Sequence, residues 1–258
     1  VDLFGGTGGV IALWYTRGRD KPVGPIAEYV TEPPSDLAPG LAGTLVDERA
    51  DVKDVLATIV DLGRRGMLEI EEREESGLFG IGSKKDFIYR LKGRDSSLLK
   101  HEQILLDEFF GSRTEKRLSE LKNKFYAAIP RIAKAMYAEV TDMGYFAANP
   151  EKTRNKWVGV GIVGLIATLC GFFAMSMLLA SYASTFFCLP VSAAVAFVAM
   201  LITAGFMPRK TEKGAIEAAK WQAFRRYLQD IERYDNLQEK TAIFERFLPY
   251  AIAFGVEK

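Results

Sequence analysis

From Trp157 to Met207 the chain runs for 51 residues without a single Asp, Glu, Lys, Arg or His, although its 258 residues include 34 Lys+Arg and 33 Asp+Glu. A soluble fold would need a very large core to enclose such a run, whereas a bilayer accepts it readily, since roughly 20 apolar residues cross a hydrocarbon layer of ~30 Å. Trp157 to Tyr182 and Thr185 to Met207 each exceed that length. Ala183 and Ser184, flanked by Ser181, Tyr182 and Thr185, supply a turn but no domain. The pattern predicts a transmembrane helical hairpin over 157–207, with Pro190 one turn into the second span, where it starts or bends the helix.

The flanks carry the sidedness. Lys152, Arg154 and Lys156 precede the first span, Arg209, Lys210 and Lys213 follow the second, and the turn is uncharged. By the positive-inside rule both ends face the cytoplasm and the Ala183–Ser184 turn lies outside, as expected of a multi-pass plasma-membrane protein. Gly159, Gly161, Gly164 and Gly171, with Ala167, Ala174 and the run Ser192, Ala193, Ala194 and Ala196, allow close helix approach. Neither span holds an ionisable Asp, Glu, Lys, Arg or His, the usual marker of a proton relay or ion path. Cys170 and Cys188 are the only cysteines and His101 the only histidine, so neither a disulfide framework nor a histidine-built or four-ligand metal site is expected.

Ahead of the hairpin, the apolar stretch Gly8 to Tyr15 closes on aromatics and runs into Arg17, Arg19 and Lys21, a stop-transfer pattern too short to cross alone. Residues 1–16 therefore read as the end of a truncated transmembrane helix, and a start at Val1 leads us to expect chain before it. Gly5-Gly6-Thr7-Gly8-Gly9 reads as a flexible approach to that helix. Residues 17–35 form a linker punctuated by proline and glycine that ends in Glu32-Pro33-Pro34.

Residues 36–95 read as a winged-helix-like module. Leu41 to Leu45 suits a short helix. Asp51 caps the next with Asp54 three positions on, Val52, Val55, Leu56, Ile59, Val60 and Leu62 recur at helical spacing, and Gly66 stands where a left-handed cap is needed. Leu68 and Ile70, then Phe87, Tyr89 and Leu91, alternate as strands, with Arg73 to Asp86 expected as a long loop. Residues 96–150 repeat the plan loosely: a helix with Ile104, Leu105, Phe109 and Phe110 ended by Gly111, a second with Leu118, Leu121, Phe125 and Tyr126, and a third opened by Pro130, closing on Gly144-Tyr145-Phe146. The fold class expected is mainly α with small β wings: tandem winged-helix-like modules, the hairpin, and C-terminal helices over 212–258. In that last region Trp221, Phe224, Leu228, Ile231 and Tyr234 form one stripe of a mixed-charge helix, a pattern that favours packing on protein over lying in the membrane interface.

The segment from Leu37 to Gly43, the run Asp51 to Leu68, Gly144-Tyr145-Phe146, the hairpin and Leu248 to Val256 together resemble the YciQ-like predicted membrane proteins, a family of unknown function. The resemblance spans nearly the whole chain. It implies an extracytoplasmic β-rich domain ahead of residue 1, then a transmembrane helix, then this cytoplasmic part, and it supplies no catalytic residues.

No residue set for chemistry emerges. Gly77 to Lys85 approaches a nucleotide loop, but its Ser precedes the Lys and it joins two strands, where a phosphate loop needs Gly-Lys-Ser/Thr between strand and helix. His101 reads as a surface or capping residue on the polar side of its helix. Glu71-Glu72 and Glu74-Glu75 read as a solvated charge run on the wing. Catalytic residues, cofactors and metals are therefore expected to be none.

Residues 35–95 hold 13 acidic and 10 basic residues and residues 96–148 hold 7 and 8, so neither has the footprint of a duplex reader. Arg64-Arg65 and Lys84-Lys85 are the compact basic pairs singled out as candidate partner contacts. The expected role is a non-enzymatic membrane-bound interaction or scaffold protein whose partners are the lipid bilayer and other proteins. A membrane-tethered DNA-binding regulator stands second, and an accessory subunit of a transport or envelope complex third.

Overall fold

The computed structural model describes residues 3–76, 83–179, 188–230 and 237–256. The chain is mainly helical, with one small sheet, and divides into two compact units, Val1–Pro22 with Phe146–Ala215 and Val23–Tyr145 with Ile216–Lys258. The Ala183–Ser184 turn and the Gly77 to Gly82 loop lie outside the described residues.

The first unit contains α1 (Leu3–Arg17), α6 (Pro150–Leu179) and α7 (Cys188–Thr203), the last continued by a 3₁₀ turn over Ala204–Phe206. Thirty residues give α6 a length of about 45 Å, so it begins two turns before the uncharged run and carries Lys152, Arg154 and Lys156 on helix. Both α6 and α7 are long and apolar enough to cross a membrane, and only 6% and 11% of their most apolar windows are buried. Val163, Phe173, Met177 and Ile202 stand more than half exposed, which is how a lipid-facing helix differs from the buried core helix of a soluble protein. Thr168, Ser176 and Thr203 turn their hydroxyls back to the carbonyls of Gly164, Phe172 and Ala199 at 2.8, 2.8 and 3.0 Å, satisfying them within their own helices. Pro190 falls in the first turn of α7, where a missing N–H costs least.

Glycine sets the spacing of these helices. A Cβ at Gly164 would fall 2.1 Å from the Phe197 ring, and one at Gly161 would fall 2.5 Å from Leu201 Cδ2. Gly6 meets the Ala196 methyl in the same way, at 2.8 Å, so α7 packs on α1 as well as α6. This corrects the expected flexible approach: Gly5 to Gly9 are helical, lying inside α1.

The second unit joins α2 (Pro39–Asp47), α3 (Val52–Arg64), β1 (Leu68–Ser76), β2 (Ser83–Leu91), α4 (Lys100–Phe110), β3 (Glu115–Arg117), α5 (Leu118–Asp142) and α9 (Leu237–Phe254), together with α8 (Glu212–Asp230) from Ile216 onward. Gly66 and Gly144 end α3 and α5 alike, at φ 75 and 77, with Met67 N–H donating to Leu62 O and Tyr145 N–H to Val140 O. The sheet order is β1-β2-β3, all antiparallel. Most of the stretch expected as a long loop is therefore strand, with Arg73↔Asp86 and Ser76↔Ser83 in register. The third strand arrives after α4, so residues 36–95 and 96–150 share one sheet. Asp86 of β2 accepts Ser119 Oγ–H at 2.8 Å at the start of α5, and this hydrogen bond holds its carboxyl below the usual range.

Two further expectations are corrected. Pro130 opens no new helix but sits inside α5, on a side where it and Tyr126 are both exposed and water can take the carbonyl its missing N–H leaves free. His101 is fully buried, because α5 covers the side of α4 that the sequence pattern marks as polar.

The Trp221, Phe224 and Leu228 stripe of α8 is buried. Trp221 stacks on Tyr250 of α9 at 5.2 Å, and Phe224 meets Phe247 edge to face at 5.2 Å. α9 in turn closes on α2 and α3: Tyr250 O–H donates to Leu37 O at 3.0 Å, and a Cβ at Gly43 would lie 3.0 Å from Ala253 O.

Asp54 is fully buried between these helices. Its Oδ2 accepts the Asp51 N–H at 2.7 Å, while Oδ1 meets no hydrogen-bond partner among the described residues and lies 2.0 Å from where a Gly43 Cβ would be. Burial pushes its carboxyl well above the ordinary carboxylate range, against the pull of that N–H. A raised folded-state pKa means that the native chain holds this proton more tightly than the unfolded one. The stability it contributes is full below the ordinary carboxylate pKa and is lost as pH rises through the raised value. Asp54→Asn keeps an acceptor for Asp51 and has no proton to lose. Thermal unfolding in detergent, followed as pH is raised from the ordinary carboxylate range upward, should show a smaller drop in midpoint for the variant than for the wild type.

Candidate functional site

Of the four basic residues singled out from the sequence, Arg64 and Arg65 close α3. Arg64 Nη2 donates to Asp61 Oδ1 at 3.0 Å, and Arg65 Nη1 lies 2.6 Å from Glu102 Oε1 and 3.5 Å from Asp61 Oδ2. Glu102 is 1% exposed and also accepts the Leu99 N–H at 2.9 Å, the N3 capping position of α4. Partial burial works against the Arg65 charge, yet Glu102 and Asp61 outweigh it and raise its pKa. Arg65 thus clamps α3 to α4. Lys84 and Lys85 stand in β2 opposite Glu75 and Glu74 in register, away from the α3 end.

Arg64 faces outward and borders a polar cleft of about 320 Å³ with Glu32, Ser35, Asp36, Arg246 and Tyr250. Arg246 bridges to Glu32 at 3.0 Å and lies over the Phe247 ring at 4.9 Å. Ser35 Oγ–H donates to Glu217 at 2.5 Å. Tyr250 is pushed up to about 12 by burial and the nearby Asp61, so its phenol is a hydrogen-bond donor at neutral pH. Two guanidiniums and two carboxylates around one cleft suit the recognition of a surface carrying both charge signs. Sequence reasoning missed Arg246 and Glu32, which lie 214 residues apart in the chain with no local motif joining them.

His101 takes no part in this cleft. Its ring Nδ1 meets Glu139 Oε2 of α5, and Oε1 of the same carboxylate accepts the His101 backbone N–H at 3.0 Å. This pair fastens the first turn of α4 to α5. Arg131 and Glu108, 2.6 Å apart, bridge the same two helices beside a groove that also holds Lys100, Ile104 and Lys134. No group of three or more His, Cys, Asp or Glu among the described residues is placed to hold a metal ion.

The profile of one family, described as the C-terminal domain of a predicted membrane protein (DUF2207), matches residues 26–258. The chain belongs to this family. The match bears out the resemblance to the YciQ-like proteins, and it covers the second unit from residue 26 onward and both candidate spans, α6 and α7. No curated protein and no solved structure matches the chain. What the DUF2207 assignment states is a membrane protein of unknown function.

The two arginines should separate on mutation. Arg65→Ala leaves the Glu102 carboxylate buried without its cation and should cost about 3 kcal/mol of stability. Arg64→Ala removes an exposed partner of Asp61 and should cost less than about 1 kcal/mol. Denaturant unfolding of the two variants in the same detergent, followed by circular dichroism, measures the difference.

Proposed function

We propose that this chain is a multi-pass plasma-membrane protein without catalytic activity, whose second unit faces the cytoplasm and recruits protein partners through winged-helix-like surfaces. The observation that carries this reading is where the basic side chains of that unit are used. Arg65 is taken up by Glu102 and Asp61, and Arg90 by Glu71 and Glu115 at 2.7 Å each. These two arginines are thus engaged by carboxylates, while the cleft at Arg64 and Arg246 offers both signs to a protein surface. The winged-helix part of the reading draws support from the order α2, α3, β1, β2 and from the short strand β3 set between α4 and α5.

Two arguments support the sidedness. The flanks of the hairpin are basic, as a cytoplasmic flank is. Independently, chain from before the hairpin (23–145) and chain from after it (216–258) build one compact unit, which supports placing both flanks on the same side of the bilayer.

Recruitment is tested with a photo-crosslinking residue at Arg246 of the full chain in cells. A defined protein partner should be captured, and Arg64→Glu should abolish the capture. Binding of duplex DNA with a steep salt dependence would replace this reading by a membrane-tethered regulator. Stable copurification with a larger channel or enzyme would make the chain an accessory subunit. For sidedness, a cysteine placed at Ser184 should react with an impermeant reagent from outside intact cells, and one at the exposed Ser96 should not; the reverse pattern rejects the cytoplasmic placement.

A further inference from the structure

In the first unit the end of α1, the exit from α7 and the start of α6 are tied together by Lys210. Its backbone N–H donates to Asp20 Oδ1 at 2.6 Å, its Nζ lies 3.6 Å from Asp20 Oδ2 and 5.7 Å from the Phe146 ring centre, and its backbone bridges to Phe146. Next to it, Ala147 N–H donates to Arg209 O at 3.1 Å, and Trp14 Nε1–H donates to Phe206 O at 3.1 Å. Three chain segments thus meet at one level, where the uncharged run begins and ends.

The charges at this level are unbalanced. Asp20 is occupied by Lys210 and Glu212 by Lys21, at 3.3 Å. Arg17, Arg19, Lys152 and Lys156 are exposed and Arg209 half-exposed, and none of the five has a carboxylate partner among the described residues. Among the described residues of this unit, Glu151 is the acid that remains beside Asp20 and Glu212. Lys156 directly precedes Trp157, Arg209 follows Met207 by two residues, and Arg19 lies over the Tyr15 ring at 4.8 Å. Long cationic stems beside interfacial aromatics reach the headgroup layer while their bases stay against hydrocarbon.

From this juxtaposition we infer that the collar of Arg17, Arg19, Lys152, Lys156 and Arg209 binds the headgroups of anionic phospholipids. Each cation near a negatively charged leaflet adds favourable energy, and cations set between neighbouring helices hold a phosphodiester better than a scattered set does. The inference rests on the membrane placement of α6 and α7 and is independent of recruitment.

The test uses the full chain in nanodiscs of equimolar phosphatidylglycerol and phosphatidylcholine with identical acyl chains, with retained lipids counted by native mass spectrometry. The wild type should retain phosphatidylglycerol at least about tenfold over phosphatidylcholine, and each of Arg17→Gln, Arg19→Gln, Lys152→Gln and Lys156→Gln should lower that preference by up to about fivefold. The charge-keeping set Arg17→Lys, Arg19→Lys, Lys152→Arg and Lys156→Arg should preserve it, and because the single variants are read separately, misfolding of a multiple variant does not decide the result. Equal retention of the two lipids overturns the inference. So does removal of the preference by millimolar glycerophosphate, which would make the collar a site for a soluble anion. A chain that stays monodisperse without detergent or lipid sinks the membrane placement itself, a failure distinct from both.

Discussion

In hydrocarbon a peptide group can hydrogen-bond only to another peptide group or to a side chain within reach, and the rest of this structure depends on how the candidate spans α6 and α7 meet that demand. Within α6 and α7 the helix satisfies the backbone, and the hydroxyls of Thr168, Ser176 and Thr203 bond into the same helices. With polar groups settled inside each helix, what remains to hold helices together is close contact. Gly164 against Phe197, Gly161 against Leu201 and Gly6 against Ala196 provide it.

In the second unit the structural logic reverses, and polar side chains are buried against one another. Glu102 with Arg65 joins α3 to α4, and Glu139 with His101 joins α4 to α5. Both pairs also satisfy backbone N–H groups of the first turn of α4, at Leu99 and His101. Each carboxylate therefore does two things: it caps a helix that lacks a Ser, Thr, Asp or Asn at its N-cap, and it fixes where that helix docks. This explains why residues of ordinary surface type are buried, and why the outward charge of the unit is left to cleft residues such as Arg64 and Arg246.

What was legible in the sequence follows the range of the interactions concerned. The uncharged run, the Asp51 and Asp54 start of α3, its Gly66 end and the Trp221, Phe224 and Leu228 stripe are all local patterns, and the structure contains each of them. The three residues of β3 are all charged and have no alternation to betray a strand; they pair only because β2 offers Arg90 opposite Glu115. His101 looks polar-facing until α5 is laid over it. The glycines of α1 read as flexible because propensity says so, and are helical because α7 needs a close neighbour. The cleft joins Glu32 to Arg246 and Ser35 to Glu217, pairings made by tertiary folding alone.

The closure of α9 over α2 and α3 also has a temporal side. A ribosome delivers the chain from its N-terminus, so α2 and α3 emerge long before the segment that covers them, with both greasy spans still to be made in between. The faces that α9 covers wait open through that interval. The fold of the second unit cannot be finished until the two candidate spans have been made, which places their synthesis inside its folding and leaves an arrested chain holding an open, adhesive surface.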